Sequence, residues 1–363
     1  MMPDDAKVGK APLLRRFPNT AYGIVLGLSG NSILWKSMNQ APFIEAPVAI
    51  GWFFWLTGIA VWLCFTITYG MKAVFHLDII KKEWSDNIRG NFFQAPNFAI
   101  VILALGCPAD LDVDVTVFRV IWVVTFIYQL VVVLVFYSRW MYSDASLGSA
   151  AVTPYLLNIV GWFLLTNLAA QADMHELLGV DVASFSFGIG TLFCTICYVD
   201  IFNNLHSGKI SRGHPAMFLL LAPPSISSIS LKALLGGWTA ASKAILGAMV
   251  FLLMLLLRSS IVILKEPAFL GIYWAYVFPL AALATAGIAN ANAEDTFGAE
   301  FLAWVLICVS QIALLVVFFR MSFHCCRTAF GKATWSDPLV DAPPAAAPPP
   351  AIAVKEAKKD TEV

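Results

Sequence analysis

The side chains that could do chemistry are few, and none is arranged for catalysis. Cys194 and Cys197 have the spacing of a redox dithiol, but they sit within an apolar run, where two thiols one turn apart read as packing residues. His324, Cys325 and Cys326 follow the last apolar run. They are too few for a metal site, and cysteines at a membrane boundary suit S-palmitoylation instead. His76, His175, His206, His214 and His324 fall at loops or ends, and none pairs with a glutamate at zinc-hydrolase spacing. There is no phosphate-binding glycine loop and no nucleophile elbow. The expectation is a protein that is not an enzyme and uses no metal or cofactor.

Composition points the same way. The chain has 363 residues, 59% hydrophobic and only 13% charged, with a mean hydropathy of +0.77. Soluble domains carry roughly 25% charge. The 23 basic and 23 acidic residues cancel, so no global field would attract a nucleic acid. Seven scattered cysteines make no disulfide framework. The fold class expected is all-α, a polytopic membrane protein in a lipid bilayer.

A spanning helix needs about 20 apolar residues. Ten segments qualify: 17–37, 47–74, 91–107, 114–137, 151–170, 182–203, 215–233, 240–264, 270–291 and 298–321. With the N-terminus inside, 19 of the 23 lysines and arginines face the cytoplasm; Lys36, Arg119, Lys232 and Lys243 do not. That bias fixes orientation, and an even count puts both termini in the cytoplasm. The domains read as a short N-terminal tail at 1–16, a transmembrane domain at 17–325, and a Pro/Ala-rich tail at 326–363 expected to be disordered.

Proline in a helix removes a backbone hydrogen bond, and in lipid the freed groups must find partners within protein or at a water-filled cavity. Pro96, Pro154, Pro223, Pro224 and Pro279 all fall in odd-numbered segments. The first segment carries Gly23, Gly27 and Gly30 instead, and the even segments from the fourth onward are proline-free. Pro96 to Pro154 is 58 residues, Pro154 to Pro223 is 69, and Pro224 to Pro279 is 55, one helical hairpin each. The pattern predicts five helical hairpins with the broken helices inside, in a pseudo-fivefold ring, and the regular ones outside. The stretches 91–108, 150–170, 215–230 and 268–293 contain no Asp, Glu, Lys, Arg or His. Pumps and proton-coupled transporters need ionisable groups at depth, so a passive conduit is favoured.

These residues also carry a resemblance. NIRGNFFQAPNFAIVILALGCP (88–108), GIVLGLSGNSILWK (23–36), GHPAMFLLLAPPSISSISL (213–231) and WAYVFPLAALATAGIA (274–289) resemble helices 3, 1, 7 and 9 of the plant slow-type anion channels. The wider group is the tellurite-resistance/dicarboxylate transporter family. The resemblance spans about 17–325 and implies ten helices around a central pore in each protomer of a homotrimer, in the plasma membrane. It implies that Phe278 is the gate, its ring lying across the pore. The residues themselves are compatible: Phe278 precedes Pro279, whose kink would fix its direction. A bare aromatic plug makes a hydrophobic constriction, and its electropositive edge tolerates an anion. Gln94 stands where the family carries a further aromatic, and the fifth-helix entrance SLGSAAVTPYLLN lacks the family's basic residues.

The function expected is therefore an anion channel for small monovalent anions such as nitrate and chloride. The alternative is a secondary carrier for malate, sulfite or bicarbonate. Arg89 is the candidate anion-attracting residue at the cytoplasmic mouth and Lys36 at the outer part. Lys81, Lys82, Arg89, Lys209 and Arg212 make the inner loops basic, while Asp110, Asp112, Asp114, Asp173, Glu176, Glu294 and Asp295 make the outer loops acidic. That asymmetry would favour anion efflux.

Overall fold

The computed structural model describes residues 13–86, 89–142, 154–207, 215–263 and 271–329. Both tails beyond them lie outside the described residues, as do Lys209, Arg212 and most of the fifth-helix entrance. Among the described residues there is no strand, and ten helices have eleven residues or more. They are α1 (Tyr22–Asn39), α2 (Val48–Phe75), α3 (Ala95–Leu105), α4 (Val115–Tyr142), α5 (Tyr155–Gln171), α6 (Val182–His206), α7 (Ala222–Leu235), α8 (Ala240–Ile263), α9 (Val277–Glu294) and α10 (Phe297–Ala329). One helix falls on each predicted segment.

Seven of the ten meet length and apolarity criteria for crossing a membrane: α2, α4, α6, α8 and α10 alone, and α7 and α9 together with the 3-10 turns before them. The three that do not, α1, α3 and α5, are shorter or more polar, for a physical reason. A helix enclosed by protein need not be uniformly apolar, and α1 buries Ser29, Asn31 and Ser32. In α5, Tyr155 to Thr166 are buried without interruption. Burial divides the spanning helices as well. In the most apolar stretch of α9, 83% of residues are buried, against 11% in α2. Phe53, Leu56, Leu63, Ile67 and Val74 of α2 are exposed.

Each odd helix packs on the even helix that follows it. The odd helices also pack on one another: α1 on α3, α3 on α5, α5 on α7, α7 on α9, and α9 back on α1. Even helices fasten to the next odd segment by hydrogen bonds. The indole N–H groups of Trp55 and Trp62 in α2 donate to the carbonyls of Leu103 (2.9 Å) and Pro96 (3.0 Å) in α3. In α4, Trp122 donates to Leu165 (3.0 Å) and the Gln129 amide to Asn158 (2.7 Å), both in α5. The Gln311 amide of α10 donates to Asn31 of α1 (2.8 Å). Such bonds between membrane helices contribute about 0.6–2 kcal/mol each. At the other face, Asp181 caps α6 by accepting from the Ser184 backbone N–H at 2.8 Å. Its hydrogen bonds with Ser184 hold the Asp181 carboxyl below the usual carboxylate range.

Candidate functional site: a neutral cavity beneath Phe278

The prolines mark junctions between two kinds of helix. α3, α7 and α9 are each preceded by a 3-10 turn, Arg89–Gln94, Pro215–Leu221 and Gly271–Tyr276. Pro96 is the second residue of α3, Pro223 and Pro224 the second and third of α7, and Pro279 the third of α9. Pro154 caps α5. In a continuous α-helix the N–H of residue i would bond to the carbonyl of i−4; proline has no such N–H, and its ring crowds that carbonyl. The backbone ahead of Pro96, Pro223 and Pro279 therefore winds as tighter 3-10 turns. The breaks expected from sequence at Pro96, Pro223, Pro224 and Pro279 thus lie in the first turn of an α-helix, and Pro154 stands just before one. The carbonyl of Leu220, freed by Pro224, accepts a hydrogen bond from the Tyr198 hydroxyl of α6, as enclosure in lipid requires.

The residues four before Pro96, Pro223 and Pro279 are Phe92, Leu219 and Ala275, and all three line one cavity. Leu26 of α1, Leu157 of α5 and Phe278 of α9 line it too. Every odd helix, or the turn leading into it, contributes. The cavity holds about 20 Å³, room for about one water. Among its lining residues only Thr20 carries a polar side-chain oxygen and the Trp274 indole an N–H; none is charged.

Phe278 is 4% exposed. A Cβ built on Gly30 would stand 2.9 Å from its Cδ2, and one on Gly27 would stand 2.7 Å from the Trp274 ring. Glycine fits both positions because a bare backbone lets the rings of Phe278 and of Trp274, in the turn before α9, lie this close to α1. Other buried polar groups nearby are turned inward on their own helices. The hydroxyls of Ser29, Thr166, Ser230 and Thr285 each donate to the carbonyl four residues earlier. Ser225 Oγ and both side-chain polar atoms of Gln94 are buried without a hydrogen-bond partner.

Arg89 and Lys36 do not line this cavity. Arg89 belongs to a buried ionic cluster. Glu83, fully buried, accepts from Lys72 Nζ at 2.9 Å, from the Tyr69 hydroxyl at 2.7 Å and from Arg89 Nη1 at 3.3 Å. Lys72, also fully buried, donates to the Phe17 carbonyl at 2.7 Å. The Asn19 amide donates to the Arg89 carbonyl at 2.7 Å. Lys36 Nζ donates to the Leu105 carbonyl at the end of α3, at 2.9 Å. It borders a separate cavity of about 300 Å³ that also takes in Ser32, Asn39, Trp52 and Asp110.

Sequence reasoning singled out Phe278 and the prolines but missed Leu26, Phe92, Leu157 and Leu219. A signal existed for two of these, since the residue four before a proline recurs in the lining. The Lys72–Glu83–Arg89 cluster was missed as well, because Lys72 read only as a topology signal and Arg89 as a residue attracting anions at the cytoplasmic mouth.

An all-helical, multi-pass membrane protein, with a small uncharged cavity against one aromatic ring, is the class of molecule that emerges. The family model SLAC1, described as a voltage-dependent anion channel, matches residues 16–322, and the chain belongs to that family. Among its relatives, the S-type anion channel SLAH3 of Arabidopsis thaliana is 28% identical over 324 residues, 88% of this chain and 49% of that protein. The guard cell S-type anion channel SLAC1 of the same plant is 26% identical over 320 residues, 86% of this chain and 56% of that protein. S-type anion channel SLAH4 is 22% identical over 299 residues, covering 82% of this chain and 80% of that protein. The chain thus spans about half the length of the first two.

Proposed function

We propose that this chain is an anion channel whose ten long helices cross the plasma membrane as five hairpins. The odd helices ring a central pore, each protomer of a homotrimer carries its own, and both termini are cytoplasmic. Nitrate and chloride are the proposed substrates. Support for the ring comes from the contact order of the odd helices, which returns from α9 to α1. Support for orientation comes from the lysine and arginine bias.

The single observation that carries the reading is Phe278, which lines a neutral cavity to which all five odd helices, or the turns leading into them, contribute. Phe278 is the gate: a neutral constriction blocks ions by excluding water. Pro96, Pro154, Pro223, Pro224 and Pro279 set the helix junctions around it. Lys36 attracts anions at the outer end. Arg89 shares its charge with Glu83, which favours a scaffolding role, and Lys81 and Lys82 supply the inner field in its place.

The test is the purified protein in planar bilayers under a chloride gradient. The reversal potential moves towards that of chloride, and Phe278→Ala raises unitary conductance several-fold without moving it. Flux that appears only with a proton or sodium gradient overturns the channel reading in favour of a carrier.

A further inference from the structure

The cytoplasmic end of α10, in the orientation proposed above, carries two adjacent exposed cysteines that the conduction pathway does not use. α10 has 33 residues, about 50 Å at 1.5 Å per residue. A bilayer's hydrocarbon is about 30 Å thick, so the helix continues well past it. Two cation–π contacts lie along this end: the Arg320 guanidinium stands over the Tyr273 ring at 4.9 Å, and that of Arg327 over the Phe323 ring at 5.7 Å.

One face of α10 is exposed and apolar along its length. Ile312, Leu315, Phe319 and Phe323 are exposed on it, at steps of three or four residues. The next step of three reaches Cys326. Cys325 and Cys326 are both exposed, free thiols. A group attached to Cys326 therefore leaves the helix on the face that Phe319 and Phe323 turn outward.

We propose that Cys325 and Cys326, Cys326 foremost, are a site of S-acylation, with a long-chain fatty acyl group lying back into the cytoplasmic leaflet along Phe323 and Phe319. The proposal rests on the orientation given under the proposed function. The donor is a long-chain acyl-coenzyme A, delivered by a membrane acyltransferase working from the cytosol. The cysteine sulfur attacks the acyl carbonyl carbon, and the new carbon–sulfur bond replaces the one to coenzyme A. Coenzyme A leaves as the free thiol with the cysteine's proton, and nothing is oxidised or reduced. Cys64 and Cys308 are also exposed, but Cys308 lies 17 residues before Cys325, about 25 Å deeper along the helix. They serve as internal controls.

The full chain is expressed in yeast fed an alkynyl palmitate analogue, and the purified protein is coupled to a fluorophore. Hydroxylamine-sensitive label is expected. Cys326→Ser should lose at least half of it, Cys325→Ser with Cys326→Ser at least tenfold, and Cys64→Ser with Cys308→Ser none. No label on the unmutated chain, while resident acylated proteins in the same membranes are labelled, overturns the proposal; so does label that persists in the Cys325/Cys326 double variant. If that variant fails to fold, mass-spectrometric mapping of the thioester on the unmutated chain decides between the same outcomes. A membrane-impermeant maleimide, applied to either face of vesicles after hydroxylamine, separates the two readings. Reaction at the cytosolic face without acylation sinks the site alone; reaction at the outer face sinks the orientation, and the site with it.

Discussion

The 3-10 turn Arg89–Gln94 has a charged end and a neutral one. Arg89 is ion-paired with Glu83, which also holds Lys72. Phe92, three residues on, lines the cavity beneath Phe278. Both regions are buried, yet one concentrates ionic groups and the other contains none. Burying a charge is costly unless it is paired and hydrogen-bonded, and in the cluster each charge meets an opposite one. The charges tie the short helix Leu77–Ser85, the end of α2, the N-terminal segment and the turn before α3 together, while the residues that face the cavity stay neutral. The difference assigns charge to holding the backbone and leaves a neutral surface for the proposed conduit.

Breaking the ionic side should have the largest effect. Glu83→Gln leaves Lys72 fully buried beside the Phe17 carbonyl without its counter-charge. Removing one partner of a buried pair costs about 3–5 kcal/mol. The expected outcome is a large loss of monodisperse protein in detergent, read by size-exclusion chromatography after a heating series. Replacing Lys72 and Glu83 together with Met and Leu should cost less, because no fully buried lone charge remains; Arg89, which loses Glu83 as well, is partly exposed. Glu83→Gln at wild-type stability would mean that the cluster does not hold the short helix Leu77–Ser85 in place.

The neutral side should respond to volume instead. Gly30→Val places a side chain where the Phe278 ring already stands, and overpacking of this kind costs about 1–3 kcal/mol. Phe278→Ala removes the obstacle, so the double variant should be more stable than the two separate losses predict. The cycle is measured as thermal midpoints of the four proteins, with a coupling of about 0.5–3 kcal/mol expected for residues in contact. Additive losses would place the ring elsewhere than against Gly30. The same four proteins report on conduction: Phe278→Ala should conduct more with or without the valine.

Much of this was readable from the chain. The ten helices follow from apolar run length: the predicted segments 182–203 and 240–264 fall within three residues of α6 and α8, and 298–321 starts with α10, which runs eight residues further. The inner and outer assignment follows from the proline phase, because a broken backbone needs protein around it. What was not readable is which face of each helix meets which neighbour. α5 is buried nearly all round, so it carries no apolar stripe to betray a direction, and Leu157 looks like any other leucine. The ionic cluster was illegible for a different reason. Lys72 and Glu83 are 11 residues apart in sequence and separated by a helix end at His76, and only the fold brings them to 2.9 Å.

The smallest expected effect tests whether charge outside the neutral region reaches it at all. Helix Leu77–Ser85 buries Ile79 and Glu83, four residues apart on one face, and leaves Lys81 and Lys82 exposed on the other. In the proposed orientation these lysines face the cytoplasm and would raise the local anion concentration. A membrane negative inside pushes anions outward as well, by about 2.3 kcal/mol per charge per 100 mV. The lysine contribution is separable because exposed charges are screened over about 8–10 Å at physiological salt. In symmetric solutions of low ionic strength the unmutated channel should therefore pass anions more readily from the cytoplasmic side. Lys81→Gln with Lys82→Gln should reduce that preference by about twofold or less, and high salt should abolish it in both proteins. Glu83 on the opposite face of the same helix stays paired in this variant, so stability should not change. If the low-salt current–voltage relation of the unmutated protein is already linear, the lysine field does not extend to the conduit. The separation between charged scaffold and neutral pathway is then complete.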